Sequence, residues 1–148
     1  MNNLYAGSVY QRICECGIMP LVTLDDADDA FILGKALMEC GLPVVEITFR
    51  TDAAEKAIKL LKSTYPEILV GAGTILTPQM AETAINAGAE FILAPGINPE
   101  VVRYCQSREV LSFPGCMTPS DLELAKRLEL KCVKIFPIVS IGGLAMLK

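Results

Sequence analysis

One unit recurs along this chain and limits its fold more than any other feature: a short apolar stretch, a turn, and a segment with helical spacing. The apolar stretches start near residues 18, 43, 69, 90, 110 and 131, so successive units begin 25, 26, 21, 20 and 21 residues apart. That spacing suits strand–helix units joined by short loops. Strands separated by helices run parallel, because each helix carries the chain back to the same end of the sheet. Ahead of the first unit, residues 5–16 read as a leading helix.

The punctuation between units agrees. Asp25-Asp26 is placed to cap the first crossover helix and Gly41 to end it. Thr51-Asp52 opens the second, Thr77-Pro78 the third, Asn98-Pro99 the fourth and Thr118-Pro119 the fifth. In the last three a capping side chain stands directly before a proline at the first helical position. Gly88 closes the third helix, and Gly142-Gly143 begins a final element, expected as a sixth helix, that reaches Lys148.

Parallel strands with crossover helices form either a doubly wound sheet or a closed barrel. No GxGxxG follows the first strand, so a dinucleotide fold has no specific support. The barrel is favoured because polar residues gather on one face of several strands near their C-terminal ends, where barrel active sites lie. The expected fold class is α/β, of the TIM (β/α)8-barrel type, with about six βα units in a single domain over residues 1–148.

Composition narrows the chemistry. With 52% hydrophobic residues the sheet is expected to be buried on both faces. The apolar-rich run from Ile135 to Leu147 is too short for a membrane span and contains Gly142 and Gly143. The start, Met1-Asn2-Asn3-Leu4, has neither a basic nor an apolar leader region, so the expectation is a cytoplasmic protein. A net charge of −4 without a basic cluster argues against nucleic acid or an anionic membrane as partner. Six cysteines form no CxxC pair and histidine is absent, so no metal is expected and the thiols read as small, reduced hydrophobes. Acid–base chemistry must then use Glu, Asp, Lys, Tyr or Cys.

The second strand, Pro43 to Arg50, sets Val45, Ile47 and Phe49 on one face and Glu46, Thr48 and Arg50 on the other. On a lone strand the polar face is simply solvated. In a barrel the apolar face goes to the helices, and Glu46, Thr48 and Arg50 point inward. Lys131 to Pro137 likewise places Cys132, Lys134 and Phe136 on one face and Val133 and Ile135 on the other. A lysine there must reach water, find a carboxylate or lose its charge. In Val70-Gly71-Ala72-Gly73-Thr74 two glycines permit close backbone approach or relieve crowding, and Thr74 adds a hydroxyl. Pro95 and Pro114 end the fourth and fifth strands, positions that are more often turn punctuation than ligand contacts.

Second and sixth strands oppose each other in an eight-stranded barrel, whose interior admits one small ligand. Lys134 and Glu46 would then face each other across it. An amine nucleophile, a carboxylate base and the guanidinium of Arg50 as carboxylate anchor suit chemistry beside the ketone of a 2-keto acid.

With these residues in place the sequence resembles the KDPG/KHG aldolases, metal-independent Schiff-base enzymes. The matching stretches are Gly17 to Val22, Gly41 to Thr51, Val70 to Leu76, Ala94 to Gly96 and Lys134 to Pro137. The resemblance implies Lys134 as the Schiff-base lysine and Glu46 as general acid/base. It implies Arg50 and Thr74 as contacts to the pyruvate carboxylate and carbonyl, with Pro95 and Phe136 shaping the pocket. It implies no cofactor, a small-molecule 2-keto acid as substrate, and a homotrimer.

The activity it implies is cleavage of 2-keto-3-deoxy-6-phosphogluconate, 4-hydroxy-2-oxoglutarate, or both, to pyruvate and an aldehyde (glyceraldehyde 3-phosphate or glyoxylate). Two departures from the family pattern stand out. Ile138-Val139 occupies the place of the usual Ala-Glu, and the chain stops about two βα units short of the family length. The alternative expectation is therefore a catalytically inactive remnant or assembly component of the same family, with exposed parallel edges that favour association.

Overall fold

Parallel pairing runs through six strands in chain order, each neighbouring the next. The computed structural model describes residues 7–147. Helix α1 (Ser8–Cys16) leads into β1 (Leu21–Val22), α2 (Ala30–Glu39), β2 (Val44–Thr48), α3 (Ala54–Thr64) and β3 (Leu69–Gly73). Then follow α4 (Pro78–Ala87), β4 (Phe91–Ala94), α5 (Pro99–Ser107), β5 (Leu111–Cys116), α6 (Pro119–Arg127) and β6 (Lys134–Ile135). Sequential parallel order with a helix in every crossover makes this a half-barrel of the expected α/β type.

The register sorts the side chains. Leu21 lies beside Glu46, Glu46 beside Gly71, Gly71 beside Phe91 and Phe91 beside Leu111, so this row shares one face of the sheet. On that concave face Val44, Leu69, Phe91, Leu93, Leu111 and Phe113 pack into one cluster. Val9, Tyr10, Ile13 and Cys16 of α1 pack against the cluster, so the leading helix covers the floor of the half-barrel. The Phe91 and Phe113 rings meet edge to face, 6.2 Å between centroids. On the convex face Val45, Ile47, Val70, Ala72 and Ile92 pack against the inner faces of the helices. The sheet is thus buried on both sides, as the near-continuous apolar strands require.

Most helix signals act as the sequence predicts. Thr77, Asn98 and Thr118 each accept a backbone N–H with proline at the start of the helix, and Gly88 closes α4 at φ 107°. Thr118 and Asp121 form a reciprocal capping box. Asp26 caps a short 3-10 turn, Ala27–Asp29, that runs into α2, and Gly41 leaves that helix at φ 67°.

Three details differ. Thr51 does not cap α3, because its hydroxyl donates instead to the Leu24 carbonyl, 2.5 Å away, tying the loop after β2 to the loop after β1. The stretch expected as a sixth helix is two 3-10 segments, Val139–Ile141 and Gly143–Leu147, since Gly142 and Gly143 both take positive φ and interrupt the helical run. The leading helix begins at Ser8; positions 5 and 6, and Lys148 at the other end, lie outside the described residues. Among the described residues no helix is long and apolar enough to cross a membrane.

Thr118→Ala is expected to destabilise the protein by about 1 kcal/mol, because the Asp121 N–H loses the hydroxyl it donates to while only the reciprocal bond from the Thr118 N–H to Asp121 remains. Thr118→Ser, which keeps the hydroxyl, should recover most of that loss in urea denaturation midpoints.

Candidate active site

Alternation along β2 sends Glu46 into the half-barrel, where the residue is 2% exposed. Its two carboxylate oxygens point to different neighbours. Oε2 lies 3.6 Å from Lys134 Nζ, which β6 delivers from the far side of the curved sheet. Oε1 lies over Gly73 on β3, so close that a methyl group there would overlap it. Lys134 itself pairs in register with Gly115 of β5, and its Nζ sits 5.2 Å from the centroid of the Phe136 ring. An ammonium at that distance is attracted by the ring face. Cys132, Lys134 and Phe136 were expected on one face; Cys132 packs against the floor cluster while Lys134 and Phe136 meet above it.

At the rim stand Arg50 and Thr74. Arg50 Nε donates to Thr74 Oγ1 at 3.4 Å, so the guanidinium and the hydroxyl converge at the C-terminal ends of β2 and β3. Thr74 holds φ at 62°, a left-handed conformation that costs a β-branched residue roughly 1–3 kcal/mol and that clusters at functional sites. Thr48, fully buried, shares a hydrogen bond of 2.7 Å with the Thr23 hydroxyl at the end of β1. Pro95 lies exposed at the end of β4, and its carbonyl packs onto Gly115 where no Cβ would fit.

Electrostatics separate the roles. Burial pushes the Glu46 carboxyl above the ordinary glutamate range; the charge and hydrogen bond of Lys134, then the charge of Arg50, pull it partly back. Burial and the two cations thus act on this carboxyl in opposite directions, with burial the stronger. Burial acts on the inner thiols in the same direction: it raises Cys105 to about 12 and also raises Cys116 and Cys132. Those thiols stay protonated, so the nucleophile the site offers is an amine. Among the described residues no three His, Cys, Asp or Glu side chains gather in a way that would hold a metal ion.

The structure therefore brings Glu46, Lys134 and Phe136 together, and Arg50 with Thr74, in one concavity. Sequence reasoning allowed a close approach at Gly73 without naming Glu46 as the group that makes it, and it missed Gly115. The signal was present: both are inward positions by strand parity, Gly73 beside Thr48 and Gly115 beside Lys134 in register.

The family model described as KDPG and KHG aldolase matches residues 9–148. This chain belongs to that family. The 2-dehydro-3-deoxy-phosphogluconate aldolase of Haemophilus influenzae is 39% identical over 140 residues, which are 95% of this chain and 66% of that one. Among solved structures, the 2-keto-3-deoxy-6-phosphogluconate aldolase of Zymomonas mobilis with 3-phosphoglycerate superposes with a TM-score of 0.89 at 34% identity, covering 95% of this chain and 66% of its own. The KDPG aldolase of Legionella pneumophila, with pyruvate captured as a covalent carbinolamine, gives a TM-score of 0.90 at 32% identity over 96% of this chain and 69% of its own. The chain thus spans about two thirds of the length of these KDPG/KHG aldolases.

The Glu46 carboxyl generates a pH prediction. Its pKa is raised on folding, so folding favours the protonated form. That contribution is complete below the unfolded value and is lost as pH rises through the folded value. Glu46→Gln does not titrate. Its urea midpoint should therefore gain on that of the parent chain as pH rises from 4 towards 8, and a constant gap across that range would contradict the assignment.

Proposed function

We propose that this chain acts as a class I aldolase on 2-keto acids, through an imine on Lys134. The observation that carries the reading is the Glu46–Lys134 pair, 3.6 Å apart on the concave face. A carboxyl raised by burial and an amine share one small space there. The carbinolamine in the Legionella relative supports the same chemistry.

In this reading Glu46 takes the proton of Lys134, and the free amine adds to C2 of the keto acid. Glu46 returns that proton to the carbinolamine hydroxyl, which leaves as water and gives the protonated imine, with the carboxylate free again. The imine draws electrons from the C3–C4 bond while Glu46 accepts the proton of the C4 hydroxyl. The bond breaks, the aldehyde leaves, and an enamine of the three-carbon fragment remains. Protonation at C3 and addition of water release pyruvate and restore the amine. Arg50 and Thr74 hold the carboxylate and carbonyl end, since guanidinium pairs with carboxylate in a fixed fork. Pro95 and Phe136 bound the space.

The substrate read from the family is 2-keto-3-deoxy-6-phosphogluconate, 4-hydroxy-2-oxoglutarate, or both. Residues 1–148 work as one unit in this reading. By the same family resemblance we infer a homotrimer that works in the cytoplasm.

Pyruvate followed by borohydride should attach covalently at Lys134 and leave other lysines unlabelled. Lys35, Lys56 and Lys59 each pair with a carboxylate in solvent, at 3.8, 2.9 and 2.5 Å, and have no enclosed space beside them. Peptide mapping decides the matter: label spread over surface lysines, or surviving in Lys134→Ala, would sink the reading. Glu46→Gln should still be trapped but should lose exchange of the pyruvate methyl protons by roughly 10²-fold or more, the usual contribution of a general base. Neither result should change in EDTA, because the imine is the electron sink.

A further inference from the structure

Each carboxylate oxygen of Glu46 has its own neighbour, and only one of those neighbours is Lys134. The other is bare backbone. A Cβ built on Gly73 would overlap Oε1, Cδ and Cγ of Glu46 together, so half of the carboxylate lies in space that any other residue on β3 would fill. The arrangement follows from the register. Gly73 pairs with Thr48, one inward position beyond Glu46, and the long Glu46 side chain reaches up and across into the gap. The neighbouring inward glycine, Gly71, is filled by the Phe91 ring from the other side, so the carboxylate cannot sink towards the floor.

We propose that Gly73 is a positioning residue of the reaction: its missing side chain is the seat that holds the Glu46 carboxylate against Lys134. The inference rests on the aldolase reading above and assigns to β3 a part that the reaction scheme does not contain. Two restraints fix the carboxylate, the Gly73 backbone on Oε1 and the Lys134 amine on Oε2. Once Lys134 has become an imine, the ion pair changes and the seat remains. Proton transfer at the carbon beside the imine depends on carboxylate placement to within about 1 Å, whereas imine formation depends mainly on the lysine.

Gly73→Ala should therefore separate two steps that otherwise travel together. Borohydride trapping of pyruvate at Lys134 should persist, with half-saturation by pyruvate unchanged, while methyl-proton exchange into deuterated water falls on the order of a hundredfold. Glu46→Asp, which withdraws the carboxylate from the seat by one methylene without touching β3, should give the same split. Adding Gly73→Ala to it should cost little more, because the seat is already empty. Wild-type exchange in either single variant overturns the proposal, as does equal loss of trapping and exchange in a variant that still melts cooperatively. If Gly73→Ala does not fold, the Glu46→Asp arm decides alone.

Failure of the parent chain to trap pyruvate would count against the aldolase reading and not against the seat. The seat is then read directly from the Glu46 carboxyl titration, followed by 13C NMR. Displacement from the enclosed position in Gly73→Ala should return that titration towards the ordinary glutamate range. An unchanged titration means the carboxylate never depended on Gly73.

Discussion

Strand parity is the constraint on which the rest of this structure depends. Every second residue of a parallel strand must enter the half-barrel, whatever its chemistry, and the helices take the others. The chain meets this by layering its inward residues. Near the floor they are large and apolar, with Val44, Leu69, Phe91 and Leu111 packed over α1. One level up, Glu46 and Lys134 enter beside Gly71, Gly73 and Gly115. The lower layer supplies cohesion and a low-dielectric floor. The upper layer supplies polar groups with room between them.

That upper layer works against stability. Burial holds the Glu46 carboxyl above its ordinary range even with Lys134 and Arg50 nearby, so the pair does not recover the full cost of desolvation. Thr74 keeps a left-handed backbone that few β-branched residues adopt. Three inward glycines remove side chains that would otherwise pack. Each departure is unfavourable for a core and leaves room around polar groups, as the proposed keto acid site requires. They gather on the concave face towards the C-terminal ends of the strands.

Much of this was legible beforehand, for a physical reason. Alternation along Pro43 to Arg50 announces which residues turn inward once a barrel is assumed; repeated βα spacing makes the strands parallel, and polar residues near their C-terminal ends favour the barrel over a doubly wound sheet. Thr77-Pro78, Asn98-Pro99 and Thr118-Pro119 could be read because an N-cap depends on its next few residues only. Thr51 could not, since its competing acceptor is the Leu24 carbonyl, twenty-seven positions away in sequence. The final segment misled for a local reason: two adjacent glycines left open whether they begin a helix or break one, and here they interrupt it. The seat at Gly73 was hidden because it is an empty volume, and only the register between β2 and β3 shows what fills it.

The two partners at the centre of the site do not share one environment. The Glu46 side chain is 3% exposed and that of Lys134 is 23% exposed, although they lie within 3.6 Å of each other. The cause is their place in the sheet. Glu46 stands on a strand paired on both sides, and every residue from Val44 to Thr48 is buried. Lys134 stands on a two-residue strand which, among the described residues, pairs only with β5. Leu21, beside Glu46 on the opposite edge strand, is 46% exposed on the same concave side. The half-barrel therefore encloses the Glu46 carboxylate more firmly than the Lys134 amine. Enclosure of the amine falls to whatever covers the space between β6 and β1. In the proposed reading a bound keto acid would do part of this itself, because an imine on Lys134 is larger and less hydrated than an ammonium. In this geometry the chemistry of the first step improves the burial of the second.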